Sequence, residues 1–364
     1  MGRFEYRKAW RPGDPFLRTR IAFLARASTR DGLGHLMRSI CVMRAASARV
    51  DARLFLVGDC SGSHLVEEAH VPWQFCESDT QAACEIRKFD PHVIVLDMLD
   101  LDEQAFTFLK KTGVTVSLSP VFTHLSSVDH LFHRTSHEDP RWRQYVAFPE
   151  VHKGLGYTIL PNWLRRVSKS QFCEQLHEKR LSVAISMGGS DAPNRTLALI
   201  ERMGRCVIPM VLWVALGDAY THSYEKLLKS AAQNRQEIIL IKSNDSMWRV
   251  LKNTAIMICA GGLTTYEAAY MGIPTINLIQ SEEWGFLFTE LEESGVCVKI
   301  PPGNASLDLA IEKLTCLAGD RELLMKMHTS TKRLVPSGGA NQVAKELIQI
   351  AACSSRIRRK TKPC

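Results

Sequence analysis

The sequence predicts an α/β protein made of two halves, each a doubly wound parallel sheet with helices on both faces. Three observations carry that prediction. Short apolar runs alternate with helical patterns along most of the chain. The alternation lapses once, over residues 119–180, and then restarts. Each half opens with a strand, a glycine-rich loop and a helix, and a length of 364 residues suits two domains.

Taken in order, the first strand covers residues 21–25. A loop from Arg26 to Gly34 follows, and residues 35–46 read as a helix with Leu36, Ile40 and Met43 on its apolar face. Further strands are expected at 54–58, 93–96 and 114–118. The strand at 93–96 is apolar without alternation, as a strand buried on both faces is. The pattern restarts with a strand at 181–186, and strands at 211–216, 238–241, 256–260, 275–278 and 296–300 follow. A helix at 341–352 ends the series. This places a basic tail at 1–18, an N-terminal domain at 19–162 and a linker at 163–179. A C-terminal domain at 180–335, a helix at 336–353 and a second basic tail at 354–364 complete the chain.

Apolar residues make up 45% and charged residues 23%, which excludes global disorder. The longest near-apolar run, 206–217, has 12 residues, whereas a membrane-spanning helix needs about 20. No secretory signal is apparent. The net charge is +8, but residues 1–20 hold +4 and residues 354–364 hold +5, which leaves the body at −1. A near-neutral body argues against a nucleic-acid surface. The tails are either solvated ends or weak attachments to an anionic membrane surface. Eleven scattered cysteines without a CxxC pair fit a reducing, cytoplasmic setting.

Three loops are placed to carry chemistry. Gly188-Gly189-Ser190-Asp191 follows a strand. It is either a tight turn or an anion cradle made by backbone N–H groups and the Ser190 hydroxyl. Gly261-Gly262-Leu-Thr264-Thr265-Tyr-Glu267 has the same setting. Either Thr264 to Glu267 form a capping box, or the loop holds a diphosphate and Glu267 a ribose. Gly32-Leu-Gly34-His35 puts a histidine at a loop-to-helix junction in the other half, suited to acid–base work near neutral pH. It lacks the third glycine of a dinucleotide fingerprint and the lysine of a P-loop. Asp97, at a strand end, either points into the cleft or caps a helix. His130, His133 and His137 would align on a helix face, but no cysteine or glutamate stands at ligand spacing in that segment. No metal and no cofactor are therefore expected.

These motifs occur in a fixed order: Gly32-Leu-Gly-His-Leu-Met-Arg38, Ser186-Met-Gly-Gly-Ser-Asp191, Ala260-Gly-Gly-Leu-Thr-Thr-Tyr-Glu267 and Gly272-Ile-Pro274. With Gly154-Leu-Gly-Tyr-Thr-Ile-Leu160 and Ser337-Gly-Gly-Ala-Asn341, the set resembles the UDP-sugar hydrolases of pseudaminic acid biosynthesis and their spore-coat polysaccharide relatives. That group resembles in turn the enzyme that adds N-acetylglucosamine to lipid I, a GT-B glycosyltransferase. The resemblance spans about residues 21–350. It implies a GT-B fold, with two Rossmann-like domains facing across a cleft. It also implies a UDP-sugar substrate and either water or a glycan or lipid as acceptor. Gly188, Gly189 and Gly262 would lie near the diphosphate, Glu267 on the ribose, and Ile241, Asn244 and Met247 near the uracil. His35 would activate water or an acceptor hydroxyl, with Gly32, Gly34 and Arg38 beside it.

Four places depart from that family. Asp97-Met98-Leu99 stands for Asp-His-Tyr, and Ser119-Pro120 replaces a pair of acids. Glu283-Trp284 replaces Asn-Gln, and Arg26-Ala27-Ser28 replaces Arg-Ala-Asp. All four are expected on the sugar or acceptor side. Met98, Leu99 and Trp284 would form an apolar wall there unless they turn into the core. Cleavage of a nucleotide sugar is the expected activity, with hydrolysis ahead of transfer and a non-catalytic nucleotide-sugar binder as the third reading.

Overall fold

The computed structural model describes residues 19–360, apart from 29–31, 48, 60–61, 146, 218–219, 243–246 and 332–333, with backbone alone at 355–360. Residues 1–18 and the basic side chains after residue 354 lie outside this description.

Continuous apolar runs become central strands because both of their faces are covered. In the N-terminal half these strands are β1 (Arg20–Ala27), β2 (Asp51–Gly58), β3 (Trp73–Cys76), β4 (Val93–Asp97), β5 (Val114–Ser117), β6 (His130–His133) and β7 (Glu150–Lys153). They form one parallel sheet in the order β3-β2-β1-β4-β5-β6-β7. The C-terminal half holds β8 (Leu181–Ser186), β9 (Met210–Leu216), β10 (Glu237–Lys242), β11 (Ile256–Cys259), β12 (Thr275–Leu278) and β13 (Cys297–Ile300). These form a second parallel sheet in the order β10-β9-β8-β11-β12-β13. All five residues of β4 are buried.

In each sheet the order reverses beside the first strand. β1 lies between β2 and β4, and β8 lies between β9 and β11. Loops that leave such strands diverge to opposite faces and open a crevice at the carboxyl ends. The glycine loops after β1, β8 and β11 therefore all stand at crevices. The last helix, Gly339–Lys360, returns to the N-terminal half. Its Val343, Ala344, Leu347 and Ala351 pack in one core with Ile21, Phe23, Leu36 and Ile40.

Residues 130–133 form a strand, not the helix that the histidine spacing suggested. Leu131 and Phe132 are buried in different cores, on opposite faces of the sheet. That alternation is available only to a strand. Pairing of Val116 with His130 and of Ser117 with Leu131 outweighs the weak helical spacing.

Candidate active site

His35 is the second residue of the helix Gly34–Ala46, and Arg38 lies one turn further on the same face. Asp97 ends β4, the direct neighbour of β1, so its carboxylate comes up under the start of that helix. Its Oδ1 lies 2.7 Å from His35 Nδ1. Arg38 donates to both carboxylate oxygens, its Nε at 3.1 Å from Oδ2 and its Nη2 to Oδ1. A carboxylate only accepts, so the contact with Asp97 favours the imidazole proton on Nδ1 and a lone pair on Nε2, while Arg38 Nη2, a donor 2.8 Å from the same Nδ1, favours the opposite tautomer. Burial alone would push the Asp97 carboxyl up. The Arg38 guanidinium and the His35 ring outweigh this and hold it below the usual carboxylate range. Asp97 is fully buried, whereas 12% of the His35 side chain is exposed. Asp97 thus neither caps a helix nor reaches substrate; it orients the histidine.

A cavity of about 490 Å³ lies between the halves. His35, Leu99 and Ser119 line one side, and Gly188, Gly262 and Trp284 line the other. The glycine loops approach closely: a Cβ on Gly189 would stand 3.8 Å from Gly32 Cα. Gly262 occupies the N-cap of the helix Leu263–Met271 at φ +70°, and no side chain caps that helix. Its first-turn N–H groups therefore need a partner from outside the helix, and an anion in the cavity would supply one. The loop after β8 rests on Gly217, where a Cβ would come within 2.1 Å of the Gly189 carbonyl oxygen. Gly217→Ala should destabilise the protein by about 1–3 kcal/mol through this overlap. An unchanged thermal midpoint would show that the loop yields freely.

Several expected site residues take other places. Asp191 borders the cavity, but its carboxylate accepts from Arg195 N at 2.9 Å and Thr196 N at 2.8 Å, capping the helix Arg195–Met203. Of the two glycine loops in this half, only the one after β11 therefore leaves its helix start uncapped, and Asp191 is not free to hold substrate. No capping box forms at Thr264 to Glu267, because the helix begins earlier, at Leu263. Thr264 lines the cavity, whereas Thr265 is buried with its hydroxyl 3.3 Å from Cys259 Sγ. Glu267 is half-buried one turn into the helix and does not line the cavity. Ile241 and Met247 pack against the core that holds Ala215, Trp248 and Met257, outside the cavity lining, and Asn244 lies outside the described residues.

The apolar wall is half as expected. Leu99 and Trp284 face the cavity, but Met98 is fully buried in the core with Leu101 and Phe106. Alternation beyond β4 sends the two neighbours opposite ways. Glu283 does not face the sugar side; its carboxylate stands 3.2 Å from Arg141 of the other half. The Ser119 hydroxyl donates to Val121 O at 2.8 Å.

One cavity residue left no trace in the sequence pattern. Arg134 follows β6, inside the stretch without periodicity. It is 9% exposed, lines the cavity and lies 5.1 Å from the centre of the Tyr266 ring. Its Nε has no acceptor, and no acid pairs with it among the described residues. Burial works against its charge, with only partial relief from Tyr266. Burial of a guanidinium without a paired carboxylate is costly, and an anion in the cleft would relieve that cost.

No protein-family model matches the sequence. Among curated proteins, the uncharacterized protein MJ1062 of Methanocaldococcus jannaschii is 23% identical over 274 residues, covering 72% of this chain and 56% of that one. The spore coat polysaccharide biosynthesis protein SpsG of Bacillus subtilis is 21% identical over 210 residues, 56% of this chain and 60% of that one. The chain thus spans less than two thirds of the length of these curated relatives. Among solved structures, MurG of Acinetobacter baumannii matches with a TM-score of 0.63 at 13% identity, over 91% of this chain and 99% of that one. Anabaena HepE, solved in complex with UDP, matches at 0.57 and 14% identity, over 94% and 99%. The fold is GT-B. In a GT-B protein the cavity just described is the cleft between the two Rossmann-like domains, and its two faces differ in chemistry. One offers a histidine held by a buried acid; the other offers an uncapped helix start.

Proposed function

We propose that this GT-B protein breaks the sugar C–O bond of a UDP-sugar and releases UDP. The observation that carries the proposal is the His35–Asp97 pair facing the uncapped helix start at Gly262 across one cleft. The diphosphate would lie against Gly262 and Thr264, where backbone N–H groups and the helix dipole stabilise the negative charge that grows on the leaving oxygen. His35 Nε2 takes the proton from the attacking hydroxyl, and Asp97 stabilises the resulting imidazolium. The C1–O bond breaks with its electron pair going to the β-phosphate oxygen. Glu267, Ile241 and Met247 do not line the cavity, so the reading rests on the diphosphate contacts and the His35–Asp97 pair. The names of the similar structures support this reading: MurG and a HepE–UDP complex are among them.

Transfer to an acceptor is the better fit to the sugar side. Leu99 and Trp284 line it, and the nearby Ser119 hydroxyl is already satisfied. Few polar groups remain to hold a lone water, while an indole face suits a sugar or acceptor ring. Hydrolysis is the second reading, favoured by the motif resemblance. UDP release with and without a fraction rich in glycan or lipid acceptors separates them: strong stimulation is expected, and fast unstimulated release would identify water as the acceptor. Among the described residues no helix is long and apolar enough to cross a membrane.

Arg134 is read as the counter-charge of the diphosphate. Arg134→Gln should weaken UDP binding by about 1.5–3 kcal/mol, the scale of a hydrogen bond to a charged group. The thermal midpoint of the free protein should stay level or rise, because an unpaired buried charge is removed. Unchanged UDP affinity with a lower midpoint would make Arg134 purely structural.

A further inference from the structure

We propose that His130, Glu150 and His152 form a three-ligand site for a zinc-class divalent cation on the edge of the N-terminal sheet. β6 and β7 run parallel there, with His130 paired to Glu150 and Phe132 to His152. The side-chain period of two puts His130, Glu150 and His152 on one face. Their ligand atoms converge. His130 Nδ1 lies 3.3 Å from His152 Nε2 and 3.4 Å from a Glu150 oxygen, and His152 Nε2 lies 3.8 Å from the other oxygen. A tetrahedral ion with bonds of about 2.0–2.1 Å separates its ligands by about 3.3 Å. Two of the three spacings match, and rotation of the exposed Glu150 carboxylate can close the third.

The two imidazoles are mostly buried, with 17% and 14% of their side chains exposed. The His152 ring is held flat against Phe132, at 4.6 Å between centroids and 20° between planes. That ring is thus positioned before any ion arrives. Glu150 is 69% exposed on the rim, so a fourth position remains open to water. Reading along the chain could not find this set, because the acid comes from the adjacent strand. Of the three histidines aligned by spacing, only His130 takes part. His133 Nε2 is 2.6 Å from His137 O, and His137 Nε2 is 2.9 Å from Glu293.

An ion here would clip β7, a four-residue edge strand, to β6. The loop between them carries Arg134 into the cleft. It also touches the other half through Thr135 and Ser136, which donate to Glu290 at 2.9 and 2.8 Å. Metal binding would thus steady the loop on which Arg134 stands.

The test uses the full chain, stripped with a chelator and titrated with Zn²⁺ and separately with Co²⁺, for the wild type and for His130→Gln and His152→Gln. One equivalent of Zn²⁺ should bind, Co²⁺ should give the visible absorption of a tetrahedral site, and Zn²⁺ should raise the thermal midpoint. Loss of a ligand should weaken binding beyond the about 10–100-fold that outer-shell changes cost, while the metal-free midpoint of the Gln variants stays near that of the metal-free wild type. Absence of a Co²⁺ band together with an unshifted midpoint would overturn the proposal. So would Zn²⁺ affinity equal in the wild type and both variants, which would locate the ion elsewhere, for instance on cysteines.

Discussion

His35→Ala should lower UDP release from a UDP-sugar by about 10²–10⁴-fold, the usual weight of general acid–base catalysis, while UDP binds nearly as before. The split follows from geometry. His35 stands on the N-terminal face of the cleft, while the proposed diphosphate contacts lie across from it at Gly262 and Thr264. Steady-state rates with calorimetric UDP binding check both halves of the expectation. A variant that turns over at the wild-type rate removes His35 from the mechanism. The same measurements on Asp97→Asn separate the base from its positioning group: turnover should again fall, because a neutral amide no longer stabilises the imidazolium.

The largest expected effect on stability is at Asp97. Asp97→Ala leaves the Arg38 guanidinium, 7% exposed, without its carboxylate. Breaking a buried pair from one side costs about 3–5 kcal/mol. Replacing both residues, Asp97→Leu with Arg38→Met, should recover much of that loss, since no charge is then stranded. The pH dependence has a definite sign. The folded Asp97 carboxyl titrates below its unfolded value, so its contribution is fully present above about pH 4. It is lost only as pH falls through the folded value. Urea unfolding of the two variants at neutral pH checks the first claim. Equal stability of the single and double variants would refute it.

Most strands that the sequence announced are buried on both faces; the edge strands β10 and β13 are the exceptions. Thr275–Leu278 and Leu181–Ser186 run as expected, and β1, β2 and β9 extend one to three residues beyond their apolar runs. β3, β6 and β7 were missed: each has four residues at or next to an edge of the sheet and there carries too few consecutive apolar residues to stand out, whereas the edge strands β10 and β13 keep theirs. His35 was legible because a histidine at a glycine-loop junction is a local feature. Its bond to Asp97 was not, because 62 residues separate them and only the pairing of β1 with β4 brings them together. Asp191 misled for the opposite reason: a carboxylate beside a glycine loop looks like a ligand contact until its own helix start claims it. Arg134 had no signal at all, since one arginine among many is marked only by the burial that the fold imposes.

The central claim is that the sugar C–O bond breaks while UDP is held opposite His35. Its most direct test is the fate of oxygen-18 when the protein acts on UDP-sugars in labelled water, with acceptor supplied. Cleavage of the C–O bond leaves every phosphate oxygen in place, so the released UDP should carry no label. UDP bearing oxygen-18 on its β-phosphate would mean that a P–O bond is broken and would contradict the account.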